Sequence, residues 1–537
     1  MKYIFITGGN LSALGKGITS ATIGSLLKAR NWNVSVVKVD PYLNVDAGTM
    51  SPYQHGEVYV TKDGAETDLD LGHYERFLDI NLEQKNNITA GRVYKRVLEK
   101  ERRGEYLGAT VQVIPHVINE IKSLIKEAGM NHEILLVELG GTVGDIESSA
   151  FLEAIRQFKK DEGSENVAYI HLSYLPYVET AGEIKTKLTQ QTVRELRGAG
   201  IQPDIIITRT TKPINNSVRE KIALFCDVPK NAVIQGIDTD SIYRIPLLFE
   251  GEGLPQILEK RLGLEQRTPK LEKWANYVET VVAAEKEINI GIVGKYVTLE
   301  DAYKSVYQAL VHAAASENHR VKIKWINSSS IKNQKDAKAN LSDLDGVVVP
   351  GGFDSRGMEG KIQTSQWCRE NKIPYLGLCL GLQVMVIEFA RNVCNLKDAN
   401  STEADLKTPF PVIDLLEEQE MIRYKGGTMR LGNYPASIKE GTLAKSLYEK
   451  NTVNERHRHR WEVNNNWKSQ MEDEGMVFSG LSPDGFLVEI AEIKNHPFMI
   501  ASQFHPEFTS RPLRPNPLFK GFCKASIKNK KKIKKLN

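Results

Sequence analysis

Residues 7–18 read TGGNLSALGKGI, and this stretch decides the fold of the first half of the chain. The apolar run YIFI precedes it at residues 3–6, and TSATIGSLL follows at residues 19–27. This is the order strand, glycine-rich turn, helix. Glycines let a backbone approach a phosphate closely, and a helix N-terminus offers unpaired N–H groups and a partial positive charge. We therefore predict a phosphate-binding loop rather than an ordinary strand-to-helix turn.

The loop departs slightly from the standard P-loop pattern, which has four residues between its glycines and a Ser or Thr after the lysine. Here five residues separate Gly9 from Gly15, and Gly17 follows Lys16. The physical mechanism is retained, because the glycine backbone, the helix start and the charge of Lys16 are all present.

Strand and helix patterns alternate along both halves of the chain. In the first half, short β-rich runs at residues 34–39, 134–137, 167–170 and 204–207 are separated by helical stretches, which predicts a doubly wound parallel sheet covered on both faces. A second α/β pattern begins at residue 288. We predict an α/β protein of two domains at residues 1–265 and 288–527, a mostly helical connector at 266–287 and a basic tail at 528–537.

Composition and charge exclude several classes of protein. The 537 residues contain no apolar run of the roughly 18 residues that a membrane span needs. Five scattered cysteines, an odd number, argue against a disulfide framework and favour a cytoplasmic location. The net charge is +4, but removing the six lysines of residues 528–535 leaves 65 basic against 67 acidic residues. We interpret the tail as a solvated, disordered end and expect neither nucleic acid nor membrane as a partner.

Carboxylates follow the strand patterns of the first half. Glu138 ends the buried run 134–137, where a doubly wound sheet places its ligands, and a buried carboxylate needs a partner. Asp68 and Asp70 would face the same way in an extended segment. Mg²⁺ typically takes one or two carboxylates together with phosphate oxygens. For the two aspartates, spacing alone leaves a metal site and a solvated acidic turn equally open.

Two further polar segments belong to the first half. Residues 140–147 read GGTVGDIE, a glycine-rich loop with two carboxylates. Residues 185–190 read KTKLTQ, with two lysines and three hydrogen-bonding side chains. Lysines placed in this way suit a triphosphate, because they act as flexible point charges. An exposed helix start is an equally good interpretation of the second segment.

The second half contains a nucleophile pattern. Residues 373–383 read IPYLGLCLGLQ, an apolar strand, a Gly-x-Cys-x-Gly turn and an apolar helix, which is a nucleophile elbow with sulfur in place of oxygen. The helix N-terminus after Cys379 favours the thiolate and supplies oxyanion donors. His505 would take the thiol proton and Glu507 would hold its tautomer. Residues 350–352, PGG, can add an oxyanion donor. We interpret the remaining cysteines as packing residues, namely Cys226, Cys368, Cys394 and Cys523.

The chain resembles the CTP synthase family over nearly its whole length. The resemblance rests on the phosphate loop, on GLCLGLQ and FHPE, and on SPYQHGEV at 51–58, LGATVQVIPH at 107–116 and ERHRHR at 455–460. The first half looks like a P-loop-like amidoligase domain and the second like a class I glutamine amidotransferase. The resemblance implies that ATP phosphorylates O4 of UTP. It further implies that ammonia from glutamine hydrolysis crosses an internal passage and displaces phosphate at C4, which gives CTP.

The resemblance also implies site residues and partners. It places ATP on Ala13, Leu14, Gly15, Lys16, Gly17, Ile18, Asp70, Ile237, Asp238 and Thr239. It places Mg²⁺ on Asp70 and Glu138. UTP, or CTP as feedback inhibitor, falls on Ser12, Asp145, Ile146, Glu147, Lys185, Thr186, Lys187, Leu188, Thr189, Gln190 and Lys221. Glutamine falls on Gly352, Leu380, Gly381, Leu382, Gln383, Glu403 and Arg460. The family has GTP as allosteric activator and works as a homotetramer.

The chain departs from the family pattern at a few positions. The family loop usually reads GGVVSSLGKG, from which Asn10, Leu11 and Ala13 differ, Leu188 replaces a usual proline, and Asp354-Ser355 replaces a Gly-led pair. One alternative is a relative from the cobyrinate or biotin pathways on the same fold, which would not need residues 185–190. Another is a non-catalytic scaffold whose basic tail binds nucleic acid, against which the intact Cys379, His505 and Glu507 argue.

Overall fold

The computed structural model describes residues 1–9, 11–353, 356–415 and 427–536. Asn10 and Asp354-Ser355, two of the departures noted above, lie outside these residues. The chain forms two compact units. The first consists of Met1–Ala47 and Asp70–Val278, and the second of Gly48–Leu69 and the described residues from Glu279 onward.

The strands are numbered along the chain. They are β1 Lys2–Gly8, β2 Val34–Asp40, β3 Tyr59–Val60, β4 Glu66–Thr67, β5 Asn87–Thr89, β6 Ile134–Leu139, β7 Val167–Tyr174, β8 Tyr177–Val178, β9 Glu183–Ile184, β10 Ile205–Thr210, β11 Val233–Ile237, β12 Glu287–Gly294, β13 Arg320–Asn327, β14 Gly346–Val349, β15 Tyr375–Leu378, β16 Ala399–Ser401, β17 Phe410–Leu415, β18 Arg430–Ile438, β19 Thr452–His459, β20 Trp461–Val463, β21 Met476–Leu481, β22 Val488–Ile493 and β23 Met499–Ser502.

The helices are numbered in the same way. They are α1 Lys16–Ala29, α2 Pro52–His55, α3 Asp70–Leu78, α4 Ala90–Arg102, α5 Ile118–Gly129, α6 Ser149–Glu162, α7 Lys187–Gly198, α8 Asn216–Cys226, α9 Ile245–Gly251, α10 Leu254–Arg261, α11 Glu272–Ala283, α12 Lys304–Ala315, α13 Gln334–Leu341, α14 Met358–Asn371, α15 Leu380–Asn392, α16 Leu443–Tyr448, α17 Lys468–Asp473 and α18 Pro517–Leu536. Single 3₁₀ turns lie between several of them, including Ile146–Ser148 and Pro506–Phe508.

The first unit is built on a parallel sheet in the order β11-β10-β7-β1-β6-β2-β5. Its central strands are almost completely buried, as their continuous Val, Ile and Leu content predicts for a sheet covered on both faces. The loops that follow β1 and β6 carry the predicted phosphate loop and the segment 140–147, and Ile237 is the last residue of β11. The α/β prediction for this half is therefore confirmed, and the candidate residues gather at the carboxyl edge of the sheet.

The second unit contains a mixed sheet in the order β13-β12-β14-β15-β23-β22-β21-β18-β19. The strands from β13 to β23 pair in parallel, and those from β23 to β19 pair antiparallel. Strand β15 lies between β14 and β23, so the loops after these three neighbours meet at one edge. Those loops hold residues 350–352, Cys379 and His505.

The predicted domain boundaries differ from the observed units, because residues 48–69 pack in the second unit. The Arg456 guanidinium donates to Tyr59 Oη at 3.1 Å and to Val60 O at 2.9 Å. Arg458 Nε pairs with Glu66 Oε1 at 2.8 Å. Residues 48–69 leave the first unit, provide acceptors for two arginines of the second and then return. Local composition does not reveal such an insertion.

The extended arrangement considered for Asp68 and Asp70 is not observed. Strand β4 ends at Thr67, and Asp70 begins helix α3. A strand-to-helix turn separates the two aspartates and assigns them to different units, so only Asp70 reaches the first site.

The prediction of a disordered tail is wrong for the described part of the chain, because helix α18 runs to Leu536. Its first turns pack into the core through the buried side chains of Leu518, Phe519 and Phe522. Lys530 Nζ then donates to Glu287 O at 2.7 Å and pairs with Asp345 Oδ2 at 3.3 Å. Lys530 therefore anchors the part of α18 that contains the tail lysines.

Cysteine and membrane expectations can be compared with the structure directly. All the cysteines are unpaired and buried. Burial raises the pKa of Cys226 and Cys394 to about 11 and that of Cys368 and Cys523 further, which fits their interpretation as packing residues. Within the described ranges, none of the helices combines the length and the apolarity needed to cross a membrane.

Candidate active sites

The phosphate loop forms as its glycine content predicts. Ala13 and Gly15 adopt left-handed φ values of 56° and 90°, and α1 begins directly afterwards at Lys16. A Cβ at Gly17 would lie 1.9 Å from Asp70 Oδ1. Only glycine at this position lets the carboxylate of Asp70 approach the first turn of α1.

Lys16 lies beneath the loop rather than in solvent. Its Nζ donates to Gly141 O at 2.7 Å, and a Cβ on Gly8 would come within 2.9 Å of it. Burial and the neighbouring Lys38 ammonium lower the pKa of Lys16, although nearby carboxylates oppose this. The lysine thus connects the phosphate loop to the glycine-rich loop after β6.

A cavity of about 400 Å³ brings together two separate groups of predicted ATP residues. Its walls combine Leu14, Gly15 and Ile18 of the loop and α1 with residues 237–239 after β11. The rest of the lining is largely apolar, from residues such as Ile242, Leu248 and Phe249. Arg209 borders the cavity and donates to Ala13 O at 2.8 Å and to Asp238 Oδ1 at 3.1 Å. This shape suits a flat base beside a phosphate loop.

The two predicted metal ligands meet at a buried lysine. Lys38 Nζ lies 2.9 Å from Glu138 Oε1 and also bonds Asp70 Oδ2. Tyr74 Oη donates to the second oxygen of Glu138. Burial raises the pKa of Glu138 despite the Lys38 charge. Burial acts in the same direction on Asp70, but the charges of Lys38, His73 and Lys16 and the hydrogen bond from Lys38 together outweigh it and lower the pKa of that carboxyl.

These residues fit the donor set that Mg²⁺ prefers. Asp70 and Glu138 provide carboxylate oxygens beside a phosphate loop, and phosphate oxygens and water complete such sites in proteins. The ammonium of Lys38 between them shows that the pair accommodates positive charge. In the part of the chain that the structure describes, no group of three or more acidic, His or Cys side chains could hold a metal alone.

The predicted triphosphate segment 185–190 is the start of helix α7. Thr186 is the N-cap residue of this helix, which begins at Lys187. The side chains of Thr189 and Thr192 are buried, while Lys185 and Lys187 are exposed. A Cβ at Gly9 would lie 2.9 Å from Thr192 Cγ2, so α7 packs against the phosphate loop. Leu188 is the second residue of the helix, a position that tolerates proline equally well.

A neutral histidine joins this helix to the central strand. His171 Nδ1 lies 2.9 Å from Thr7 Oγ1, and its Nε2 lies 3.1 Å from Thr192 Oγ1. Burial and then the charge of Lys16 lower the pKa of His171 to about 3. Because it stays uncharged, it adds no repulsion beside the loop lysine.

The remaining predicted UTP or CTP residues are more dispersed. Asp145 accepts hydrogen bonds from Thr142 N at 2.6 Å and Thr142 Oγ1 at 2.9 Å, which closes the loop after β6. Ile146 and Glu147 project from the next turn and are exposed, as is Ser12 in the phosphate loop. Lys221 on α8 is exposed. The hydrogen bond and charge of Lys185 lower the pKa of Glu183, and the charge of Lys221 adds to this effect. Lys185 and Lys221 therefore act electrostatically on the same carboxylate.

The nucleophile elbow of the second unit is confirmed as a structure. Cys379 has φ 53° and ψ −102° between β15 and α15. A residue other than glycine keeps such a strained backbone only where its surroundings enforce it. Cys379 N donates to Ser502 O at 2.7 Å, and a Cβ at Gly381 would lie 2.1 Å from Val349 O. Two neighbouring strands thus hold the turn.

His505 and Glu507 lie at the elbow as predicted from their motif. His505 Nδ1 and Glu507 Oε1 are 2.8 Å apart, and both side chains are buried. Burial disfavours the imidazolium, but the charges of Glu507 and Cys379 outweigh it and raise the pKa of His505 to about 10. The environment of His505 therefore favours its imidazolium form.

Part of the predicted glutamine set lies close to this pair. Gly351 lies so close to the elbow that a Cβ would be 2.8 Å from His505 Cε1, and the neighbouring Gly352 approaches Leu380. Residues 380–383 form the buried first turn of α15. Glu403 follows β16, and Arg460 between β19 and β20 donates to Thr428 Oγ1 at 2.9 Å. Burial lowers the pKa of Arg460.

A cavity of about 260 Å³ opens from the elbow. Cys379, His505 and Gly351 form one end of its lining, and residues 48–58 contribute Met50, Pro52 and Val58 among others. The inserted segment, residues 48–69, therefore contributes to the wall of this cavity. Domain prediction from sequence missed this role, since it assigned the segment to the first domain.

Sequence reasoning also missed Lys38, although a signal was present. It lies in the buried run VSVVKVD, and a lysine inside such a strand needs an anionic partner. Tyr74 and His171 have no comparable signal, because their roles depend on neighbours distant in sequence.

Comparisons with known proteins show what the chain is similar to. The family described as CTP synthase N-terminus matches residues 2–264, and the family described as glutamine amidotransferase class-I matches residues 298–525. CTP synthase of Methanocaldococcus jannaschii is 58% identical over 99% of both chains, and that of Bacillus subtilis is 56% identical over 98% of both. A solved glutaminase domain of Trypanosoma brucei CTPS with bound acivicin is 36% identical, covers 45% of this chain and 94% of that one, and has a TM-score of 0.42.

Proposed function

The chain belongs to the CTP synthase family, and we propose that its two units divide the reaction between a synthetase site and a glutaminase site. It is a glutamine-hydrolysing ligase of pyrimidine nucleotide synthesis that converts UTP to CTP. The observation that carries the proposed division is the placement of Lys16, Asp70 and Glu138 in one unit and of Cys379, His505 and Glu507 in the other.

In the first unit, ATP occupies the cavity beside the phosphate loop, and its γ-phosphoryl group moves to O4 of UTP. This turns O4 into a leaving group that ammonia can displace from C4. Lys16 and the α1 N-terminus neutralise the transferring phosphoryl, which is the main requirement of such chemistry. Asp70 and Glu138 would hold Mg²⁺, which supplies further charge neutralisation when bound. The lysines at 185, 187 and 221 bind the UTP triphosphate.

In the second unit, Cys379 Sγ gives its proton to His505 Nε2, and Glu507 stabilises the imidazolium. The thiolate attacks the side-chain amide carbon of glutamine, so an S–C bond forms. The C–N bond then breaks while His505 returns the proton to the leaving nitrogen, which departs as ammonia. Water hydrolyses the thioester to glutamate. Backbone N–H groups at residues 351–352 and 380 serve as oxyanion donors.

Regulation and assembly form the finer part of the proposal. GTP activates the glutaminase, CTP competes with UTP, and the enzyme is a cytoplasmic homotetramer. An open apolar cleft of about 630 Å³ on the first unit supports self-association, since Leu43, Val45, Tyr94 and Leu98 are exposed around it. Patches of this kind mark interaction sites.

The test is CTP formation from UTP, ATP, Mg²⁺ and glutamine, measured with and without GTP. We expect CTP to depend on every component and to rise with GTP. The cobyrinate-type alternative predicts no UTP binding, and the scaffold alternative predicts no glutaminase activity. The comparisons favour CTP synthesis over the cobyrinate-type and the scaffold alternatives.

A further inference from the structure

A buried amide reaches the nucleophile from the segment just before His505. Gln503 follows strand β23 and is fully buried. Its Nε2 lies 3.6 Å from Cys379 Sγ, within the range of an N–H···S hydrogen bond. Phe504, between Gln503 and His505, packs into the hydrophobic core instead. The reaction described above gives Gln503 no role.

Neighbouring groups fix which end of this amide faces the sulfur. The carbonyl of Trp461 can only accept a hydrogen bond, so Gln383 must present its Nε2, which lies 3.0 Å away. The same Nε2 lies 3.4 Å from Gln503 Oε1. With its oxygen occupied there, Gln503 can present only its N–H to Cys379. The orientation thus follows from an unambiguous acceptor at the end of a chain of amides.

The sulfur has a second contact of the opposite kind. Cys379 Sγ lies 3.8 Å from Arg458 O, which can accept only from the protonated thiol. The N–H of Gln503, by contrast, is a better partner for a thiolate. Within the described residues, His505 Nε2 has no hydrogen-bond partner, although the imidazole is close enough to respond to the cysteine charge. The amide of Gln503 is therefore a donor on the sulfur in addition to the cysteine–histidine pair.

We propose that Gln503 is a further catalytic residue, which stabilises the thiolate of Cys379 by donating its side-chain N–H to Sγ. This rests on the proposed role of Cys379 as nucleophile. After the thiol proton passes to His505, Sγ loses the contact with Arg458 O and keeps that with Gln503. A hydrogen bond to a charged acceptor is strong enough to shift an ionisation about tenfold. Because Gln383 also belongs to the predicted glutamine pocket, substrate binding there acts on the same amide.

The experiment measures alkylation of Cys379 by iodoacetamide between pH 5 and pH 10, with the modified peptide identified by mass spectrometry. The variants are Gln503→Met, which removes the donor at similar volume, and Gln503→Glu, which keeps the shape. Gln470→Met serves as control, because Gln470 donates to Cys394 O at 3.3 Å, away from the elbow. Alkylation needs no nucleotide, so a failure of CTP formation would leave this measurement intact.

We expect Gln503→Met to lower the alkylation rate at pH 7 about tenfold, to move the midpoint of the profile to higher pH and to reach the wild-type rate at high pH. Gln503→Glu should shift the midpoint at least as far, because its carboxylate repels the thiolate. The control should retain the wild-type profile. If the profiles of both Gln503 variants superimposed on the wild type, any loss of glutaminase activity would be structural, and the proposal would be overturned.

Discussion

Single buried groups set the charge of both candidate sites. In the first unit, Lys38 compensates Asp70 and Glu138, while His171 remains neutral near Lys16. In the second unit, Glu507 compensates His505. Because a buried charge without a partner is strongly unfavourable, each of these residues has consequences that a single substitution can measure.

Cys379→Ala should separate the two chemistries. Without sulfur no thioester can form, so glutamine-dependent CTP formation should fall to background. The synthetase residues are untouched, so CTP formation from ammonium chloride, at a pH that leaves free ammonia, should stay within a small factor of wild type. Initial rates with each nitrogen source give the answer.

The matched control is Cys394→Ala, which removes a buried thiol of the same unit that has no histidine partner. It should retain both activities. Loss of the ammonia-dependent rate in folded Cys379→Ala that still binds UTP would contradict the two-site proposal, and retention of glutamine-dependent synthesis would remove Cys379 as nucleophile.

His171→Gln should reduce the acid sensitivity of the first unit. The folded pKa of about 3 lies below the ordinary value of 6.5, so the unfolded chain binds the proton first as pH falls. The contribution of neutral His171 is fully present above pH 6.5 and is lost towards pH 3, at about 1.4 kcal/mol for each pH unit. The variant should therefore lose less unfolding free energy between pH 6.5 and pH 4.

Hydrogen exchange of peptides from β1 and β7 can follow this unit separately. Peptides from β12, in the second unit, provide the internal control and should respond to pH equally in both proteins. An unchanged slope for β1 and β7 would mean that His171 already gains its proton in the folded state.

At the scale of elements, the local sequence pattern was sufficient to predict the structure where a strand, a turn and a helix follow one another directly in the chain. The phosphate loop with α1 and the elbow with α15 are both of this kind, because glycines, apolar runs and the reactive residue lie within one short stretch. The tail differs. Its lysines resemble a solvated end, and only the distant Asp345 shows why α18 continues past residue 527.

Lys530→Met should lower the melting temperature of the second unit by a few degrees. The substitution removes a hydrogen bond to Glu287 O and a partly buried ion pair with Asp345, worth about 1 kcal/mol together. Catalysis should be unaffected. Calorimetry of the full chain measures the shift.

Lys531→Met is the matched control, since Lys531 is exposed on the same helix, and it should melt like the wild type. Truncation after Ile527 should lower the melting temperature at least as much as Lys530→Met and still leave both activities. If Lys530→Met and Lys531→Met behaved alike, the anchoring role of Lys530 would be refuted.

At the scale of the whole molecule, chain order and structural unit do not coincide. The polypeptide changes unit after Ala47, after Leu69 and after Val278. Composition predicted the third change approximately and missed the other two, because inserted segments are recognised by their partners rather than by their own sequence. The missed insertion does not affect the catalytic prediction, since none of the residues named for catalysis lies in residues 48–69.

The fragment 279–537 should therefore be an inferior glutaminase. It contains Cys379, His505 and Glu507 but lacks the segment that lines their cavity, and it leaves Arg456 and Arg458 without Tyr59, Val60 and Glu66. The loss of acceptors for a buried and a partly buried arginine is unfavourable. We expect lower glutamine hydrolysis and a lower melting temperature than in the full chain, both measured at equal concentration. Equal values for fragment and full chain would show that the insertion is dispensable.

The insertion also determines how this enzyme can be divided. Two polypeptides cut between Val278 and Glu279 would not be self-sufficient modules, because the N-terminal piece retains residues 48–69 of the other piece's fold. If glutaminase activity recovered when the two polypeptides were mixed, that recovery would show that residues 48–69 had reassembled with the second piece. A gene cut at this point would therefore encode two products, neither of which contains all the residues of its own unit and no others.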